Sequence, residues 1–216
     1  MMKCVSKCAA VLFIVFVSVF FSSCAVSIEL RACDDGSVSV TYNASFGNAF
    51  VELMRALAGG QNQPLFNTTE MMRQFHELGI ETVRVSSSAD TVLSVAATIP
   101  HNSRDVISQA GCIVRTKQSM KLVCAPLHFA QLYDSLPFAL QSYIDLFMAP
   151  VFCGDALTKI EYLDLIASVY GKKLADEIAA ANVKITMSGG TARQSYMVPL
   201  VELLTATAQS EYSIEW

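Results

Sequence analysis

The sequence predicts an α+β domain, an antiparallel sheet of about six to eight strands built from hairpins with helices packed on one face. Three observations predict it. Both ends of the chain after residue 24 alternate with period two: Val26, Ile28 and Leu30 against Ser27, Glu29 and Arg31, and Tyr212, Ile214 and Trp216 against Glu211, Ser213 and Glu215. Between them, apolar residues recur at three and four, the spacing of amphipathic helices. Turn residues separate short β-rich runs at hairpin distances.

In chain order, Cys33-Asp34-Asp35-Gly36 is a turn that brings Val38, Val40 and Tyr42 back beside the first strand. Phe46, Phe50, Leu53, Met54 and Leu57 mark a short helix from Phe46 to Ala58, closed by Gly59-Gly60. Asn67 or Thr68 caps a second helix that carries Met71, Met72, Phe75 and Leu78 and stops at Gly79. Ile80 to Ser86 and Thr91 to Ile99 form a second hairpin, and Ser103 to Ala110 adds a helical turn. Gly111 to Thr116 and Met120 to Cys124 read as a third hairpin around Lys117-Gln118-Ser119. Thr158 and Glu161 are a capping box opening a helix to Ala181, weakened in its middle by Gly171. Val183, Ile185 and Met187 form a strand, Ser188-Gly189-Gly190 a turn, and Pro199 to Leu204 a short apolar turn or helix before the last strand.

Residues 1–23 have a different purpose. Lys3 and Lys7 precede an apolar run from Ala9 to Phe21, interrupted by Ser18 alone, and Ser22-Ser23-Cys24 follows. This is the length of a secretory signal peptide and short of the roughly 20 apolar residues a membrane span needs. Its end resembles the lipobox of bacterial lipoproteins, with Phe21 where the usual leucine stands. That resemblance implies that Cys24 is joined to diacylglycerol, acylated, and becomes the first residue of a single mature domain, 24–216. A plain secretory peptide cut near Ser23 and an uncleaved N-terminal anchor are the alternatives. Only Ala25 separates Cys24 from the first strand, so the domain is expected to sit almost against the headgroups.

Lys3 and Lys7 leave with the signal, so the 15 basic residues fall to 13 against 19 acidic ones and the mature body is formally −6. It has no basic tract, which argues against a nucleic-acid partner and against electrostatic recruitment to anionic lipid. Of seven cysteines, Cys33, Cys112, Cys124 and Cys153 remain available for pairing. In the third hairpin, the register that sets Val114 opposite Leu122 and Thr116 opposite Met120 also sets Cys112 opposite Cys124, within reach of a disulfide. Two neighbouring buried thiols are the other reading. No cysteine has C-x-x-C or histidine ligand spacing, so no metal is expected.

Pro126 to Phe152 is the least polar stretch, with Phe129, Leu132, Tyr133, Leu136, Phe138 and Phe147 as candidate contacts for an apolar ligand or a membrane, and Pro137 and Pro150 as breaks. Burial under other elements is the competing explanation. Catalytic patterns are poor. His76-Glu77 lacks the second histidine of a zinc helix, His101 and His128 stand alone, and Gly171-Lys172-Lys173 lacks the upstream glycine of a phosphate loop. Ser188-Gly189-Gly190-Thr191 near Arg193 could cradle an anion or simply turn the chain. Asp134, Asp145, Asp155 and Asp164 select no pair for hydrolysis. No catalytic residue, metal or cofactor is therefore assigned.

The chain as a whole, including the tail VPLVELLTATAQSEYSIEW, resembles treponemal (spirochaete) lipoproteins, and the Cys24-to-Tyr42 hairpin with Asp35-Gly36 is similar over some twenty residues to the LppM-like lipoprotein domain. The second resemblance implies lipid or glycolipid handling at the cell envelope. The expectation is a non-enzymatic lipoprotein on the periplasmic side of an inner or outer membrane. It would be held there by its lipid anchor and bind a lipid or other apolar ligand near the bilayer. The alternatives are an envelope scaffold that docks a protein through a sheet edge, and a hydrolase with an unrecognised site.

Overall fold

The computed structural model describes residues 25–58, 65–77, 80, 82–88, 91–100, 111–134, 145 and 148–216. Its strands are β1 (Ala25–Ala32), β2 (Val38–Ser45), β3 (Val83–Ser88), β4 (Val92–Ile99), β5 (Ile113–Arg115), β6 (Ser119–Cys124), β7 (Asn182–Gly189), β8 (Ala192–Pro199) and β9 (Ser210–Glu215). Its helices are α1 (Asn48–Ala58), α2 (Thr68–Glu77), α3 (Pro126–Asp134), α4 (Pro150–Cys153), α5 (Lys159–Tyr170), α6 (Lys172–Ala180) and α7 (Leu200–Leu204). The fold is α+β, but the strands form two sheets rather than one. Six lie in the order β3-β4-β2-β1-β7-β8, and three in the order β5-β6-β9.

One pairing departs from the expected all-antiparallel arrangement. β1 and β7 run parallel, from Val26 opposite Val183 to Arg31 opposite Ser188. Parallel neighbours cannot be joined by a tight turn, and the whole chain from β2 to α6 serves as the crossover. The six-stranded sheet has one dry face and one open face. Val26, Leu30, Tyr42, Leu93, Val95, Val183, Ile185 and Met187 enter the same core cluster as Phe50 of α1, Tyr162 and Ile166 of α5 and Leu174 and Ile178 of α6. Each such side chain contributes roughly 1.5–3 kcal/mol on burial. Of their strand neighbours, Ser27, Glu29 and Arg31 on β1 stay partly or fully exposed, whereas Thr186 on β7 is buried.

Local chemistry explains the helix boundaries. Asn67 Oδ1 accepts from the Glu70 amide at 3.0 Å and caps α2. The capping box of α5 is present, with Thr158 Oγ1 accepting from the Glu161 amide at 3.3 Å and Glu161 Oε2 accepting from the Thr158 amide at 2.8 Å. The Thr158 amide and hydroxyl hold the Glu161 carboxyl below its ordinary range. The expected single helix to Ala181 is two, because Gly171 takes φ 92° and ends α5 before α6 begins. After Gly190, where the sequence pattern predicts no element, lies strand β8, paired with β7 from Ala192 opposite Gly189 to Pro199 opposite Asn182. The helix expected over Ser103–Ala110 lies outside the described residues.

Helix α1 has no acidic residue in its first turn. Glu177 of α6 supplies one across the fold: its two carboxylate oxygens accept from the amides of Ala49 (2.9 Å) and Phe50 (3.1 Å). The carboxylate thus satisfies two amides that have no partner inside the helix, at the positive end of its dipole. Replacing Glu177 with Ala should cost about 1–2 kcal/mol in urea unfolding, and Glu177→Gln less, since the amide keeps one acceptor. A change under a few tenths of a kcal/mol would show that water caps α1 equally well.

Candidate functional site

Cys24, the expected lipidation residue, lies outside the described residues, but the element that follows it does not. β1 starts at Ala25 and is an interior strand, flanked by β2 and β7. Whatever is attached at Cys24 therefore enters the middle of the sheet without a spacer.

The apolar stretch divides into α3, α4 and residues outside the description, among them Leu136, Phe138 and Phe147; nothing is described of the Leu132 side chain. Phe129 is buried, its ring 6.1 Å edge-on from that of Phe152. Tyr133 is half-buried, 6.3 Å from the same ring, and its hydroxyl donates to Asp145 Oδ1 at 2.6 Å. So of the six candidates the structure brings Phe129 and Tyr133 together around Phe152, and Phe129 is part of the core rather than a surface contact. Leu127, two residues before Phe129 and so on the other side of α3, is 65 % exposed. His128 on the same helix buries Nδ1 with no hydrogen-bond partner among the described residues.

The third hairpin is shifted by one residue from the expected register. Ile113 faces Leu122, Val114 faces Lys121 and Arg115 faces Met120. The turn sets this. Thr116 and Ser119 close a two-residue loop, Lys117-Gln118, through the Thr116 amide to the Ser119 carbonyl (2.9 Å) and a hydroxyl pair at 2.8 Å. The sequence reading assumed a three-residue loop, and one residue of slip changes every partner. Cys112 consequently lies opposite Val123, whose amide donates to its carbonyl at 2.8 Å, and Cys124 is one position further along β6. Cys33, Cys112 and Cys124 are all present as thiols. Burial pushes the Cys112 thiol up to about 11, and burial followed by the proximity of Cys112 pushes Cys124 up to about 12. Burial thus favours the protonated form of both thiols at neutral pH.

The Ser188-Gly189-Gly190-Thr191 turn has a packing role that the sequence did not reveal. A Cβ on Gly189 would lie 2.3 Å from the Trp216 indole, and Gly190 takes φ 54° with Trp216 beside it. The indole of the last residue lies on this turn, and the Trp216 amide donates to the Gln118 carbonyl at 2.9 Å. Beside it Thr116, Gln118, Ser119, Glu215 and Trp216 line an open depression of about 530 Å³. Arg115 ties the small sheet to the first hairpin, donating to the carbonyls of Ser37 (2.5 Å) and Cys33 (2.7 Å). In that hairpin Asp35 Oδ1 accepts from the Ser37 hydroxyl (2.6 Å) and amide (2.9 Å), and the Ser37 hydroxyl foremost holds the carboxyl below its usual range. Among the described residues no cluster of three or more His, Cys, Asp or Glu could hold a metal, and no described helix is long and apolar enough to cross a membrane. Comparison with known protein families and with curated proteins finds no match.

The thiols make stability depend on alkaline pH. Their native values lie above the unfolded value, so between about pH 9 and 12 the folded chain holds protons that the unfolded chain has released, and stability falls as pH rises through that window. Urea unfolding at about pH 8 and about pH 10.5 should show this decline, and the Cys112→Ala/Cys124→Ala chain should show a shallower one. Equal slopes would mean that the buried tyrosines, Tyr162 foremost, account for all of it.

Proposed function

We propose that this chain is a lipid-anchored protein of the bacterial envelope, without catalytic activity, that binds a lipid or other apolar ligand close to the bilayer. The observation that carries the reading is the start of β1 at Ala25 in the interior of the six-stranded sheet. An anchor on Cys24 leaves the folded body no freedom to reach a distant partner, so its ligand must be found at the membrane surface. Two or three acyl chains hold a protein there durably, where one does not. The ligand surface is the α3–α4 region, where the aromatic cluster of Phe129, Tyr133 and Phe152 stands behind the exposed Leu127. A docking role for an envelope protein is the second reading. It is favoured by β5, an edge strand of the small sheet with Val114 46 % exposed.

Labelled palmitate should enter the wild-type chain and not Cys24→Ala, and the wild-type protein should fractionate with membranes. Unlabelled protein free in the culture fluid would end the anchored reading. Leu127→Asp should lower the lipid that co-purifies with the protein several-fold while leaving its thermal unfolding unchanged, because the side chain is already in water. If lipid is absent from both and a cross-linked protein partner is lost in Val114→Lys, the docking role replaces lipid binding.

A further inference from the structure

The open face of the six-stranded sheet has an electrostatic character opposite to that of the rest of the chain. The pairings place three rows of side chains across it. Ser86, Ser94, Asn43, Ser27, Lys184 and Met197 make one, Arg84, Ala96, Thr41, Glu29, Thr186 and Ser195 the next, and Thr98, Ser39, Arg31, Ser188 and Arg193 the third. Among the described residues of these rows, Arg31, Arg84, Lys184 and Arg193 stand against one carboxylate, Glu29, which lies 3.7 Å from Arg193 with both side chains exposed. The face is thus formally +3, and the remaining nine basic and eighteen acidic residues of the mature chain make the rest −9. Short hydroxyl and amide side chains fill the spaces between the cations, some already bonded to each other, as in Ser94 to Asn43 at 2.7 Å.

Two exposed apolar side chains also stand on this face. Val92 faces Ser45, which faces Ala25, and Met197 faces Lys184, which faces Ser27. They are 37 % and 63 % exposed. Both are therefore at the end of the sheet where β1 begins, the end nearest Cys24. The charged rows run from there toward the β1–β2 turn.

We infer that this open face is the side that the anchored domain lays against an anionic lipid bilayer, with Val92 and Met197 entering the headgroup layer beside the anchor and the four cations meeting phosphates. The inference rests on the anchored reading given above. A net charge of −6 does not oppose it, since orientation is decided by the separation of charge: an anionic surface attracts the +3 face and repels the −9 remainder. Three net charges are too few to recruit a free protein strongly, but an anchor holds the face at high effective concentration, so that weak attraction suffices to set orientation.

The test uses the membrane-anchored protein in vesicles of phosphatidylcholine alone and of phosphatidylcholine with roughly a third phosphatidylglycerol, with hydroxyl-radical footprinting read by mass spectrometry. Met197 reports the open face. Ile160 and Val169 on α5, 72 % and 53 % exposed, report the helical side. In the anionic vesicles Met197 labelling should fall about threefold relative to Ile160 and Val169, and should recover at about 0.5 M salt, where charges are screened within a few ångströms. It should also recover in a chain carrying Arg31→Gln, Arg84→Gln, Lys184→Gln and Arg193→Gln, exposed positions whose replacement leaves the core untouched. Equal Met197 labelling in the two vesicles, or protection that survives the four substitutions, overturns the inference. Salt-sensitive protection by a soluble acidic polysaccharide, with none from anionic vesicles, also overturns it and names a glycan as the partner. Should the protein fail to float with vesicles at all, the anchored reading fails first. A protein that floats with Met197 open disproves the orientation alone.

Discussion

The parallel pairing of β1 with β7 is the joint on which the remainder of the structure depends. On one side lie the antiparallel strands β2, β4 and β3, and on the other β8; without the Val26-to-Arg31 contact with Val183-to-Ser188 the sheet would fall into four strands and a lone β7–β8 hairpin, which is marginal by itself. A parallel ladder buries its strands, and here it brings Val26 and Leu30 together with Val183, Ile185 and Met187 beneath α5 and α6. Among the described residues, the helices α1 to α6 lie between these two strands in the chain, and α7 follows β8. The joint therefore also decides where the helices can be.

Long-range polar contacts then lock the parts around that joint. Glu177 holds the first turn of α1 from the opposite end of the crossover. Arg115 fastens the small sheet to the first hairpin. Tyr196 of β8 donates its hydroxyl to the Ser213 carbonyl at 2.6 Å and accepts from the Ser213 amide at 3.2 Å, while its ring meets that of Tyr212. Trp216 on the Gly189-Gly190 turn completes the closure; a side chain at 189 would occupy the place of the indole, and Gly190 takes a positive φ beside it. Residues 210–216 are thereby a structural part of the fold.

Among the described residues one face of the six-stranded sheet has no covering layer, and it carries Arg31, Arg84, Lys184 and Arg193 together with the exposed Val92 and Met197. On the anchoring proposed at Cys24, directly before β1, the orientation of the domain and its ligand become linked questions.

Local chemistry was legible in the sequence: the period-two strands, the Asn67 cap, the Thr158–Glu161 box and the weak point at Gly171 are each decided within four residues of chain. The α+β class followed from the same signals. The hairpin register at Cys112 was not legible, because two-residue and three-residue loops both suit Lys117-Gln118-Ser119 and only the Thr116–Ser119 closure decides between them. Strand β8 was hidden because its core side shows only Tyr196 and Val198, so Arg193 and Met197 could not be placed with Arg31 and Lys184. The parallel joint and the cap from Glu177 join residues more than a hundred positions apart, and the small sheet and the cationic face likewise bring together residues far apart in the chain. Such contacts are settled by how layers share one core, and tertiary packing alone decides them.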